Sequence, residues 1–226
     1  MSETKRKILI IVVLLLVVLF GVGQFFAFSG PGAANNPGNQ TAEPPTEVVA
    51  YTPPLLASST PVENGSCWTN SIAAPYRPDA WRCMVGNAIS DPCFMLPGSS
   101  TTLACGLDPA VTDESSAFVL RLTKPLPKPE TPSSTPSNWA WMVALVDGTT
   151  CTPFTGTRPF TASGDIAYYG CSGGTVPTGT LIFGELDNTS SSGIWTAELG
   201  VLSTATSTFP PAIVASATVP VATVWQ

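Results

Sequence analysis

Six cysteines, at positions 67, 83, 93, 105, 151 and 171, constrain this chain more than any other feature. They form an even set, none of them in C-x-x-C spacing, and the chain has no histidine. A zinc site built from thiolate pairs or imidazoles is therefore disfavoured, and an oxidised framework is the expected fate of the thiols. Six cysteines allow ~15 connectivities. The local solution, 67–83, 93–105 and 151–171, is preferred because each bond closes a short loop. A loop of about 15 residues stabilises the fold by about 3 kcal/mol in the chain-entropy account.

Three of these cysteines fall in Gly65–Phe94, the densest stretch of structural punctuation in the chain. Pro78 and Asp79 predict a helix start, since proline suits a first turn and Asp can accept hydrogen bonds from unpaired amides. Ala80 to Val85 then read as two short helical turns that Gly86 ends by a left-handed cap. On such a helix Trp81 and Val85 share a buried face and Cys83 points elsewhere to bridge another segment. Asp91-Pro92 marks a further turn. Arg82 with Asp79 or Asp91 is a candidate polar site within this disulfide-pinned nucleus.

The pattern C-W-x-x-S-I-A followed by D-A-W-R-C-x-V-G-N-x-I-x-D-P-C-F resembles an uncharacterised extracytoplasmic domain of bacterial proteins. Trp141 with Leu145–Cys151, and Tyr169-Gly170-Cys171, extend the resemblance, which covers residues Gly65 to Gln226. It implies an exported, cysteine-bearing domain that follows a membrane segment and a low-complexity linker. It implies no activity and no catalytic residues.

The N-terminus agrees with that placement. Lys5, Arg6 and Lys7 precede an apolar run from Ile8 that continues, with only Gln24 clearly polar, to Phe28. At ~1.5 Å per residue such a run spans the hydrocarbon thickness of a bilayer, and the basic flank keeps the first seven residues cytoplasmic. A single-pass signal-anchor over residues 8–28 is the expectation. Cleavage near Ser29, with Ala27 and Ser29 as small residues, is the competing reading and would release a secreted protein. Residues 29–64 are rich in proline and lack periodicity, which predicts a disordered stalk ahead of a β domain over 65–226. Asn39, Asn64 and Asn188 each open a glycosylation triplet, a pattern that arises often by chance.

Downstream, short strands alternate with turns: Ala117–Leu122, Trp139–Val146, Cys151–Phe154, Asp165–Cys171, Thr180–Gly184, Ile194–Leu202 and Ile213–Trp225. Asp147-Gly148 is a strong hairpin signal, and Pro220 pushes the last strand toward a sheet edge or a bulge. Charged residues make up only 11% of the chain, which argues against exposed helices. The expected fold is mainly β, an antiparallel sandwich or barrel with one short helix, stapled by disulfides.

The absence of histidine closes several chemistries. Gly65-Ser66-Cys67-Trp68 imitates the end of a papain-type nucleophile motif, but nothing is present to activate the thiol. Gly170-Cys171-Ser172-Gly173-Gly174 imitates a transpeptidase cysteine loop and fails for the same reason. A Ser-His-Asp triad is excluded, and no catalytic residue, cofactor or metal is expected. Asp165, Glu185 and Asp187 are the candidates for a carboxylate-only hydrolase of envelope glycans. Trp139, Trp141, Tyr168 and Tyr169 are candidate ligand-binding residues, a stacking platform for a cell-surface glycan or peptide. Nucleic acid is excluded as a partner: from Ser29 onward 6 basic face 14 acidic residues, with no basic cluster. The expected function is a membrane-anchored surface binding or sensor domain. The hydrolase and a purely structural spacer are the alternatives, and the sequence leaves ligand and oligomeric state open.

Overall fold

The computed structural model describes residues 43–110, 116–129, 136–203 and 210–226. The tail expected over residues 1–7, the anchor expected over 8–28 and the part of the expected stalk up to residue 42 lie outside them. Among the described residues no helix is long and apolar enough to cross a membrane. The described chain is mainly β, with no helix, and its strands close into two barrel-like sheets.

The first barrel comprises β2 (Val62–Asn70), β3 (Ala80–Val85), β4 (Ala88–Met95), β5 (Thr102–Cys105) and β6 (Phe118–Leu122). Neighbours are antiparallel, except that β6 returns beside the start of β2 in parallel register, Val62 opposite Val119 through Gly65 opposite Leu122. From Ser66 onward β2 pairs instead with β3. Gly65 sits at this change of partner, where a Cβ would meet the Met84 carbonyl oxygen at 2.3 Å and Leu120 Cδ1 at 2.8 Å. A side chain there would hold the barrel open.

The helix expected over Ala80–Val85 is instead β3. Ala, Arg and Met favour helices, but Trp81 and Cys83, with Val85 beside them, alternate into one core along with Cys67, Cys93, Leu103, Cys105 and Leu120. Cys83 thus faces the same way as Trp81, as a period of two requires. Gly86 does adopt a left-handed conformation, φ 56°, but as the first central residue of a two-residue hairpin between Val85 and Ala88. The peptide preceding Pro92 is cis.

The second barrel runs through β7 (Met142–Leu145), β8 (Thr149–Pro153), β9 (Ala167–Gly173), β10 (Thr180–Asp187), β11 (Trp195–Leu202) and β12 (Ile213–Trp225). Each strand is antiparallel to the next, and β12 closes the ring on β7. Asp147-Gly148 turns the β7–β8 hairpin as expected, with Gly148 at φ 83°. β12 is long because it serves two partners. Ile213–Val221 pair with β11, whereas Val221–Trp225 pair with β7. Pro220 falls just before β7 joins, where β12 has a neighbour on one side only, so its missing N–H breaks no ladder.

Residues 43–64, read from sequence as stalk, belong to the folded unit. Strand β1 (Glu47–Val49) pairs in parallel with Thr223–Trp225, taking up the side of β12 that β11 has left. Buried Thr46 marks the junction: its Oγ1 donates to the Val221 carbonyl at 2.7 Å and accepts from the Trp195 amide at 2.7 Å. Val48-Val49, a short β-branched pair among prolines, is the apolar hint in the sequence that becomes this strand.

All three disulfides follow the local solution: Cys67–Cys83, Cys93–Cys105 and Cys151–Cys171. Each joins directly opposed residues of neighbouring antiparallel strands, β2–β3, β4–β5 and β8–β9.

Candidate functional site

The two barrels meet along a seam whose core is aromatic. Ala74, Ala80 and Phe94 of the first lobe pack with Trp141, Met142 and Trp225 of the second. Tyr51, on the segment after β1, touches both, its ring 5.2 Å from Phe94 and 5.0 Å from Trp141. Apolar contacts like these leave backbone carbonyls to be paired, and two arginines do so.

Arg77, in the β2–β3 loop, donates from Nε and Nη2 to the two carboxylate oxygens of Asp79 at 2.8 and 2.6 Å. Its Nη1 donates to the carbonyls of Tyr51 and of Gln226, while the guanidinium lies over the Phe94 ring. The bidentate pairing fixes the fork, and the fork ties three separate segments together. Asp79 is therefore the partner of Arg77 and not of Arg82.

Arg82 pairs with Asp91, Nη1 to Oδ2 at 2.9 Å, and also donates to the Thr155 carbonyl across the seam at 2.7 Å. The Asp91 side chain is only 2% exposed, and Ser71 Oγ and the amides of Ile72 and Ala73 also donate to it. With both carboxylate oxygens occupied, this pair is a structural brace. At the polar site expected at Arg82 and Asp91, both carboxylate oxygens are already engaged within the protein.

The sequence-derived platform divides in two. Trp141 is 2% exposed and part of the seam core, and Tyr169 is 6% exposed, its hydroxyl donating to the Ala140 carbonyl at 2.8 Å. Burial pushes the Tyr169 phenol up to about 12. Each ring is nearly covered by its neighbours, so Tyr169 contributes to the wall of the hollow described below and Trp141 to that of a second hollow without offering a stacking face. The error came from treating 139–146 as one strand with a shared face; β7 starts at Met142, after both tryptophans.

Trp139 and Tyr168 have a different fate. Both are half-buried and line an open hollow at the mouth of the seam. Tyr76 joins them from the first lobe, its ring 5.3 Å from Trp139 and nearly perpendicular to it at 75°. Arg158 stands over the Tyr168 ring at 4.6 Å, and Glu185 and Asn138 complete the polar rim. Asn138 Nδ2 donates to Glu185 Oε2 at 3.1 Å and to the Leu186 carbonyl at 3.0 Å, which orients the carboxylate along the rim. Sequence reasoning missed Tyr76, Arg158 and Asn138. The signal for Tyr76 was present in Pro75-Tyr76-Arg77-Pro78, an aromatic held between prolines in a loop, where burial in a regular element is not an option.

Of the three candidate carboxylates, Glu185 alone lines this hollow. Asp165 accepts from the hydroxyls of Ser163 and Thr161, which hold its pKa below the ordinary value. Asp187 is held low in the same way by the hydroxyl and amide of Thr189. Asp165 is an exposed loop residue and Asp187 the exposed last residue of β10, each closing a local hydrogen-bonded loop, and a lowered pKa is opposite to what a general acid needs. Among the described residues no group of three or more cysteines and carboxylates is placed to hold a metal ion.

Set against protein-family models, curated proteins and solved structures, the chain matches none of them. Its chemistry is therefore read from its own geometry.

Proposed function

We propose that this chain is a binding module of the cell surface, carried on an N-terminal membrane anchor, and that it takes its ligand in the hollow between the two barrels. The observation that supports this is the meeting of three half-buried rings, Tyr76, Trp139 and Tyr168, from both lobes at one open mouth. Half-buried rings present apolar area at small conformational cost, because packing has already fixed their rotamers. Arg158, Glu185 and Asn138 add a cation, an anion and an amide on the same rim, the few placed polar groups that give such sites orientation. The ligand is a glycan or peptide segment with an apolar ring face and polar groups at its edge.

The test is an array of envelope glycans and peptides probed with the full chain and with Trp139→Ala and Tyr76→Ala. The reading expects at least a tenfold loss of binding in both variants with little change in Tm. Binding that survives both substitutions, or a wild-type chain that binds nothing on the array, would count against the hollow as the site.

A further inference from the structure

Among the described residues, strand β12 has an open edge. Ile213–Val221 pair with β11 on one side, and β7 joins on the other side only from Val221. Val214 to Thr218 are all exposed, Val214 by 63%. Main-chain groups along such an edge have no ladder partner within the sheet, and natural proteins usually guard it with lysine, proline or a covering loop. Here Ile213-Val214-Ala215-Ser216-Ala217-Thr218-Val219 contains no charge at all, in a chain of net charge −6. Pro220 guards only the far end.

We propose that this edge pairs antiparallel with the same edge of a second copy of the chain, about a two-fold axis near Ser216. Two observations favour a second copy over a foreign strand. Strand addition gains its selectivity from pockets that receive alternate side chains, and the hollows lined by Trp139, by Pro92 and by Phe160 include no residue of β12. An isologous pairing needs no such pockets, because each residue meets its symmetry mate or that mate's neighbour. The second observation concerns charge. Copies of an acidic chain repel wherever their acids meet, and the uncharged edge is where two of them can approach closely. The segment is also rich in β-branched residues, with small ones between, which suits a flat ladder. Because each chain offers this edge once, the pairing closes at two. Seven residues per copy bury less than a standard interface of ~1,600 Å², so the dimer is weak, with a Kd in the micromolar range or above.

The experiment is sedimentation velocity of the full chain in detergent micelles over about two decades of concentration, for wild type, Ser216→Lys and Val214→Lys. Both substituted positions are exposed, so the variants keep their fold, checked by Tm and disulfide mapping. The expected result is a monomer–dimer equilibrium weakened at least tenfold in each variant, with hydrogen-exchange protection of 213–219 that rises with concentration in wild type alone. A chain that stays monomeric throughout, or a dimer that both lysine variants form equally well, overturns the proposal. Protection of 213–219 by an added extended peptide in a monomeric chain also overturns it, and assigns the edge to a partner strand.

Discussion

The two barrels solve one problem, filling the inside of a small closed sheet, with different materials. In the first, four of the seven buried core residues are half-cystines, packed around Trp81, Leu103 and Leu120. In the second, Cys151 is one of twelve, among Val143, Leu145, Ile182, Leu186, Leu199, Val221 and Val224. A five-stranded ring with a four-residue strand in it encloses little volume, and aliphatic burial alone leaves such a unit marginal. Disulfides supply both packing atoms and a restriction on the unfolded chain. The contrast teaches that the first barrel is stapled because it is small, whereas the second is stapled in addition to a core of its own.

The largest test removes the one bulky ring of the first core. Trp81→Ala is expected to lower stability by about 3–5 kcal/mol in a denaturant titration. Trp81 Nε1 is buried without a partner, so Trp81→Phe removes an unpaired donor as well as volume. Trp81→Phe should therefore be milder by at least about 1 kcal/mol. Equal losses in the two variants would mean the indole N–H is satisfied in solution.

Next, the staples can be compared directly. Chain entropy alone ranks the Cys151–Cys171 bond, with a separation of 20, above Cys93–Cys105, with 12, though by only ~0.5 kcal/mol. The core contents predict the reverse order. Paired alanine substitution at 93 and 105 should cost about 3–5 kcal/mol, and at 151 and 171 about 2 kcal/mol, measured as Tm and denaturant midpoint. Losses ranked by loop length would show that cystine packing adds little.

The second barrel has its own sensitivity, to alkali. The folded Tyr169 phenol titrates near 12 and the unfolded one near 10.0, so the native state holds its proton more tightly. Its stabilising contribution is complete below pH 10 and is lost as pH rises through 12, by about 3 kcal/mol in all. Tyr169→Phe should flatten that decline in pH-dependent melting curves. An unchanged alkaline limb would place the effect elsewhere.

A smaller effect lies at acid pH, in the β7–β8 hairpin. Burial works to raise the Asp147 pKa, but hydrogen bonds from Thr149 and Thr175 outweigh it and bring it to about 2 from 3.8. Stability from this carboxylate is present above pH 3.8 and is lost as pH falls toward 2. Asp147 is exposed, so solvent screening reduces the contribution to about 1 kcal/mol or less. Asp147→Asn should remove that much of the acid dependence in melts between pH 5 and 2. The weakest expectation concerns Asp165 and Asp187, whose alanine variants should melt with the parent.

Much of this architecture was legible because it is local. Hairpins announce themselves by turn residues such as Asp147-Gly148, and a cysteine pair that flanks one hairpin has few other partners within reach. The strand Ile213–Trp225 could be read to the residue from its β-branched content. Ala80–Val85 misled because helix-forming residues lie between core positions, and the closure of a ring, which no local signal reports, decided the outcome. β1 was hidden because three residues among prolines become a strand only when β12 lies beside them. The candidate site shows the same limit more sharply. Tyr76 and Trp139 are far apart in the chain and meet only when two separately closed barrels dock, so the sequence could nominate Trp139 but not its companions.

Strand β1 has a consequence in time. Thr46 and its acceptor Val221 are 175 positions apart, and among the described residues β1 pairs only with β12. At ~5–20 residues per second, a nascent chain needs roughly 10–35 s between making one and making the other. The first barrel can close well within that interval, but Glu47–Val49 must stay extended and unpaired until the second is nearly finished. Completion is therefore late and long-range, the slowest kind of contact to form. A chain stalled before β12 would hold a formed first barrel, a second that lacks its closing strand, and a short β-branched segment free to pair with whatever reaches it first.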